Sequence, residues 1–289
     1  MRERKAELFA DDFVFLEAPR WHQDRLWVCD VFDAKLYTLD IGGKRTLVLD
    51  ALPPRPNSIG FLPDGTPVIV ASVQRQLMKI VDGALSMHAD LSALATGDLN
   101  DFVVDDCGRI YIGNFGYDLF AGAPIAPTDL HVVELDGSVR IAARGVEFPN
   151  GSVLTDDGRT LVIAETWAGR LTAFERSPNG DLSKGRIYAD LCGRQPDGIC
   201  LDSAGGIWVA SFNTGEVVRV LDGGEVTDRV LLGGHAVACQ LGGPDGKTLF
   251  CSAYAGTMQE MQDKARRGAV FATRVDVPAA AALLRLHKR

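Results

Sequence analysis

A short unit recurs six times along this chain and limits it to architectures built from repeated small antiparallel sheets. The unit is a turn followed at once by a short apolar strand. It reads Asp64-Gly65 before PVIVAS, Cys107-Gly108 before RIYIGN, Asp157-Gly158 before TLVIAE, Gly205-Gly206 before IWVAS and Asp245-Gly246 before TLFCSA. Asp24-Arg25 before LWVCD is a degenerate first copy. Asp-Gly and Gly-Gly pairs beside β-branched and aromatic runs are turn punctuation between strands. Taking the glycine as landmark (Arg25 in the first copy), the units stand at 25, 65, 108, 158, 205 and 246, with spacings of 40, 43, 50, 47 and 41 residues. A period in the forties is the length of one four-stranded propeller blade.

Each unit carries its own outer strands. Third-strand candidates are KLYTLD (35–40), LMKIVDG (77–83), LHVVELDG (130–137), RLTAFER (170–176), EVVRVLDG (216–223) and AVFATRVDV (269–277). Fourth strands follow five of them, as RTLVLD, ALSMHAD, SVRIAAR, GRIYADL and EVTDRVLL. The sixth unit has none, while ELFADDFVF (7–15) precedes the first unit and belongs to no blade. Lending that N-terminal strand to the last blade closes the ring and removes an exposed sheet edge. The expectation is one all-β domain over 1–289, a six-bladed β-propeller with four strands per blade. An open solenoid or two β-sandwiches fit six such units less well. No Trp-Asp signature ends the units, which sets WD-repeat propellers aside. The Pro-rich stretches 53–56 and 123–127 read as loops within the ring, and the terminal AAAALLRLHKR as one short packing helix.

Composition narrows the partners. Net charge is -8, against nucleic acid and against an anionic membrane surface. No run of apolar residues is long enough to cross a bilayer. The opening MRERKAELFA is charged and lacks the apolar stretch of a secretory leader. Cys29, Cys107, Cys192, Cys200, Cys239 and Cys251 are scattered with no CxxC, which reads as reduced thiols of a cytoplasmic protein.

Counting eight residues back from each landmark selects Glu17, Asn57, Asn100, Asn150, Asp197 and Ala238. These positions stand just before the innermost strands, whose starts ring one mouth of a propeller channel. Turn chemistry accounts for any one of them, since Asn and Asp cap local backbone and tolerate left-handed φ before glycine, as in Asn150-Gly151 and Asp197-Gly198. Five oxygen-bearing residues in register are harder to assign to turns, and Glu17 in FLEAPRW has no turn role. Carboxylates and amide carbonyls around one axis make a hard oxygen site, suited to Ca²⁺, Mg²⁺ or Mn²⁺, with Zn²⁺ through carboxylates as an alternative.

The segments LEAPRWH (16–22), LNDFVVDDCGRIYIGN (99–114), FPNGSVLTDDGRTLVIAET (148–166), QPDGICLDSAGGIWVA (195–210) and ACQLGGPDGKTLF (238–250) resemble the senescence marker protein / gluconolactonase / luciferin-regenerating enzyme family. The resemblance runs over essentially the whole chain. It implies a six-bladed propeller holding one divalent cation, Ca²⁺ first and Zn²⁺, Mg²⁺, Mn²⁺ or Fe²⁺ as alternatives, through residues that match Glu17, Asn150 and Asp197. Asn100 matches the family's contact to substrate and water. The implied activity is hydrolysis of sugar lactones or related cyclic esters, with aryl esters and organophosphates as the alternative substrates and a non-catalytic cation-binding propeller as the alternative class. Two departures stand out. Asp98 occupies a position where family lactonases often carry a substrate-gripping Arg, which makes Asp98 a candidate substrate contact, and Glu-Gly-Pro is here Glu17-Ala18-Pro19.

The implied mechanism puts the cation on the carbonyl, a water beside Asn100 and the proton on Asp197, with Asp101 as a second candidate base. Ser58, Ser152 and Ser211 lack a G-x-S-x-G elbow. His22, His88, His131 and His235 are dispersed and read as structural, with contact to the mouth as the alternative for His235 in the Gly-rich loop GGHAVAC. Phe115, Tyr117, Trp167 and Phe212 follow second strands, as packing residues or as walls of an apolar pocket. The expected partner is a small lactone or ester, and the expected assembly a monomer or small homo-oligomer.

Overall fold

The structure is a computed structural model and describes residues 1–280. The chain opens with β1 (Arg2–Lys5) and β2 (Glu7–Phe13). Blade 1 follows as β3 (Leu16–His22), β4 (Arg25–Asp30), β5 (Lys35–Leu39) and β6 (Arg45–Leu49). Blade 2 is β7 (Ile59–Phe61), β8 (Pro67–Ala71), β9 (Gln76–Val81) and β10 (Ala84–Asp90). Blade 3 is β11 (Leu99–Val104), β12 (Ile110–Asn114), β13 (Thr128–Val133) and β14 (Val139–Val146). Blade 4 is β15 (Pro149–Leu154), β16 (Thr160–Glu165), β17 (Arg170–Glu175) and β18 (Arg186–Asp190). Blade 5 is β19 (Pro196–Leu201), β20 (Ile207–Ser211), β21 (Glu216–Val220) and β22 (Val226–Leu231). Blade 6 is β23 (His235–Gly242), β24 (Thr248–Tyr254) and β25 (Gly268–Arg274), with α1 (Met258–Gln262) between the last two.

This is the six-bladed propeller expected from the repeat. Every predicted third and fourth strand takes its place, and β2 pairs antiparallel with β25 to complete blade 6. The first strand was not foreseen: β1 runs parallel to β22 and makes blade 5 five-stranded. Arg4, mostly buried, reaches both Asp228 and Asp276 at 2.8 Å, so the N-terminal segment joins the outer edges of two blades. The terminal AAAALLRLHKR lies almost wholly outside the described residues. Its first two alanines extend along blade 5, with Ala279 bridging Asp202 and the Ala280 amide donating to the Leu201 carbonyl at 3.2 Å.

The core is not central. Alternating apolar residues on each sheet face are buried between neighbouring blades, in six clusters, one per interface. The last of these seals the ring, with Phe250 and Val270 of blade 6 against Leu26 and Val28 of blade 1. The channel is therefore left to the innermost strands alone.

Candidate functional site in the channel mouth

Five of the six register positions are gathered by the fold. Glu17, Asn57, Asn100, Asn150 and Asp197 line one cavity of about 200 Å³ at the mouth. Ala238 does not line it. The Gly198 α-carbon lies so near Ala238 that a Cβ on Gly198 would stand 2.4 Å from the alanine Cβ, and that close approach leaves no room for a larger residue.

The turn reading of these positions fails on conformation. Apart from Asn57, they lie inside the innermost strands, and none of the five has a positive φ. Gly151 and Gly198 are not left-handed either. They are glycines because the next inner strand presses on them, and a Cβ on Gly151 would meet the Ile199 nitrogen at 2.5 Å. The pairing of each of these four strands slips beside its site residue, at Glu17/Arg20, Leu99/Phe102, Pro149/Ser152 and Pro196/Ile199, and β23 slips likewise at Ala236/Ala238. A bulge of this kind bends a strand and re-aims its side chains.

A relay of amides orients the asparagines. Asn57 Nδ2 donates to the Leu99 carbonyl at 3.2 Å, and Asn100 Nδ2 to the Pro149 carbonyl at 3.0 Å. Asn150 Nδ2 faces Thr166 Oγ1 at 3.4 Å, and that hydroxyl donates to the Pro196 carbonyl at 2.8 Å. Blades 2, 3 and 4 thus each tie to the residue preceding the next blade's site residue. Carbonyls accept only, so the Asn57 and Asn100 amides are fixed with nitrogen outward and their Oδ1 atoms are left free to serve the mouth.

The two carboxyl groups are destabilised as anions. Burial, then the neighbouring charges of Asp197 and Asp101, pushes Glu17 well above the usual carboxylate range, against a hydrogen bond from the Ala18 amide. Burial and Asp101 likewise raise Asp197, against hydrogen bonds from the Asn150 side chain and the Gly198 amide. Asp197 Oδ1 is buried with no hydrogen-bond partner. Two mutually repelling carboxyls, one with an orphaned oxygen, beside oriented amide oxygens, form a donor set that fits a hard divalent cation.

Other sequence expectations resolve differently. Asp101 Oδ1 accepts from Arg20 at 2.5 Å, from the Phe102 amide at 2.8 Å and from the Ser58 hydroxyl, so Asp101 is engaged and poorly placed to act as a base. Asp98 does not line the cavity. Its carboxylate holds Arg55, and Arg55, which the sequence did not single out, lines the mouth in its stead. His235 also stays outside, stacked on Phe212 at 4.3 Å with Nδ1 2.9 Å from the Phe212 carbonyl. Phe115, Trp167 and Phe212 do wall the cavity, whereas Tyr117 stands behind Trp167 and accepts its indole N–H at 2.8 Å. The sequence reading missed Phe32, Phe120, Phe148, Met258 and Met261. The last two sit on α1, whose capping box of Thr257 and Glu260 is a readable T-x-x-E signal. Among the described residues a second cluster of ligand-type atoms, Asp105, Asp106 and Cys107, lies at the other end of the blades. There Asp105 is already paired with Arg176 and Arg109.

The sequence signature of the SMP-30/Gluconolactonase/LRE-like region matches residues 15–255. The chain belongs to that family. Family relatives include a 6-deoxy-6-sulfogluconolactonase of Pseudomonas putida, 26% identical over 92% of each chain. A pentonolactonase of Haloferax volcanii is 27% identical over 83% of this chain and 81% of its own. Among solved structures, a calcium-binding protein, regucalcin, from Agrobacterium tumefaciens superposes with a TM-score of 0.81 at 21% identity, covering 96% of this chain and 97% of its own. A gluconolactonase from Xanthomonas campestris gives 0.77 at 20% identity, covering 93% and 89%. These superpositions show the shared propeller.

Proposed function

We propose that this family member is a divalent-cation-dependent hydrolase of cyclic esters, a lactonase. The observation that carries the reading is the orphaned, buried Oδ1 of Asp197 beside the raised carboxyl of Glu17. The lactonase names among the relatives support the reaction class. Glu17, Asn150 and Asp197 are the residues to hold the cation, with Ca²⁺ first and Zn²⁺, Mg²⁺, Mn²⁺ or Fe²⁺ as alternatives.

A bound cation supplies Lewis acidity at the ester carbonyl. Asn100, pinned by Pro149, presents its amide oxygen to accept a hydrogen bond from the attacking water and so aims the water's lone pair at the carbonyl carbon. Asp197 takes the water's proton at a carboxylate oxygen. Returned to the leaving ring oxygen, that proton gives the hydroxy acid and leaves the protein unchanged. Asp101 keeps Arg20 neutralised below the site and takes no proton.

The same reading carries a single domain over 1–289, a small lactone or ester as partner, no nucleic acid or membrane, a monomer or small homo-oligomer, and a cytoplasmic location. All six cysteines are free thiols, and among the described residues no helix is long and apolar enough to cross a membrane. The test is a lactone panel followed by pH indicator on metal-stripped protein reloaded with each cation. Turnover that returns with cation is expected. A rate indifferent to chelation, with metal loss verified, overturns the reading.

A further inference from the structure

The floor of the mouth is polar, but its wall is aromatic. Phe32, Phe115, Trp167 and Phe212 each stand one or two residues after the second strand of a different blade. Four blades therefore present a large apolar ring at the same level. Between them Phe148 stacks on Phe115 at 4.7 Å and 7°, and lies 5.1 Å from Trp167. Phe148 holds this place at a φ of 52°, a left-handed conformation that bulky residues adopt only when the surroundings enforce it. The wall offers few free polar groups. The Trp167 indole N–H is spent on Tyr117. Among the described lining residues the one cation is Arg55, laid over the Phe120 ring at 3.9 Å with its charge met by Asp98.

We infer that the site is built for a neutral lactone or ester carrying an aryl or alkyl group, and selects against polyhydroxylated sugar lactones. The inference rests on the lactonase reading and names its substrate class. A sugar lactone brings a hydroxyl on most ring carbons. Against this wall, where Gln195 is the one amide side chain beyond the floor asparagines, most of those hydroxyls lose water and gain no partner, and each unpaired one lowers binding by roughly tenfold. An aryl or alkyl substituent instead buries its surface on the wall, in the manner of apolar ligand pockets with a few convergent polar groups. An anionic sugar gains nothing from Arg55 while Asp98 neutralises it.

The test separates binding from turnover. Calorimetry measures two unreactive ring analogues, a phenyl-substituted lactam and a polyhydroxylated lactam, on the intact chain. The phenyl lactam is expected to bind at least ~10²-fold more tightly. Phe120→Ser, and Phe212→Ser on a different blade, should each reduce that ratio roughly tenfold. Equal affinities, a preference for the polyol, or no binding of either overturns the inference. Hydrolysis of the matching lactones is then compared. Tight phenyl-lactam binding with no hydrolysis of any lactone would sink the lactonase reading and leave the apolar site standing.

Discussion

Asp101 and Asp197 are buried carboxylates on the inner strands of two blades, facing one channel, and the protein completes only one of them. Asp101 Oδ1 takes the Arg20 guanidinium, the Ser58 hydroxyl and the Phe102 amide. Asp197 receives the Gly198 amide and the Asn150 side chain, and its Oδ1 has no partner. The cavities repeat the contrast. A smaller one of about 90 Å³ around Arg20 and Gln240 is lined mostly by hydrocarbon, including Phe61, Phe102 and Leu154. The mouth cavity of about 200 Å³ gathers the uncompensated oxygens. A buried charge that is fully paired serves the fold. One left incomplete costs stability unless a ligand completes it, which is why the incomplete one marks the site.

Breaking the completed carboxylate should have the largest effect on stability. Asp101→Ala strands the Arg20 guanidinium in a part-buried position and is expected to cost about 3 kcal/mol. Urea unfolding measures it. A loss under ~1 kcal/mol would mean that Arg20 finds water instead and that the contrast is not one of pairing.

Asp197→Asn should behave in the opposite way. It removes a charge that adds to burial in raising Glu17, so the metal-free melting temperature should stay level or rise. The cation-dependent gain, about 2.7 kcal/mol at a hundredfold excess over Kd, should vanish together with turnover. Thermal melts with and without cation decide it. A metal-free protein as damaged as Asp101→Ala would show that Asp197 serves the fold.

Asn100→Ala probes the relay between the two. With Glu17, Asn150 and Asp197 intact, cation content by elemental analysis should be unchanged. The initial rate should fall ~10²-fold, the loss of one orienting contact. A lost cation would place Asn100 among the ligands.

The site floor was legible and its wall only in part, for a physical reason. Floor residues ride on the repeat, whose turn glycines set a register that carries each oxygen to the same height in the ring. The strand shared between the chain's two ends was readable too, because the sixth unit lacked a fourth strand. Asp98 is a candidate contact only through the place at which family lactonases carry Arg. It stands one residue before β11, and Arg55, from a loop of the preceding blade, holds its carboxylate. Phe115, Trp167 and Phe212 are readable from their place after the second strands, whereas Phe120 sits in a loop with no period to place it, and the bulges that aim the floor residues leave no mark in composition.

The smallest effect is expected beside Glu17, at the departure from Glu-Gly-Pro. Ala18 is buried at a φ of 47°, and in this conformation its amide hydrogen-bonds the Glu17 carboxyl. Phe102 and Gly198 do the same for Asp101 and Asp197, so all three carboxylates of the channel lean on the amide that follows them. A left-handed alanine costs about 1–2 kcal/mol. Ala18→Gly relieves that strain. It also adds about 0.5–1 kcal/mol of chain entropy to lose on folding, and it gives up a methyl packed against Cys29 and Ile59, worth at most about 0.8 kcal/mol. The terms nearly cancel, so stability should move by less than ~1 kcal/mol and cation affinity should not change. Ala18→Val keeps the strain and adds a β-branch to it. It should lower both stability and cation affinity, the second because the amide no longer meets Glu17. Paired melts and cation titrations of the two variants test this. A Val variant with wild-type affinity would show that the Ala18 amide does not position Glu17.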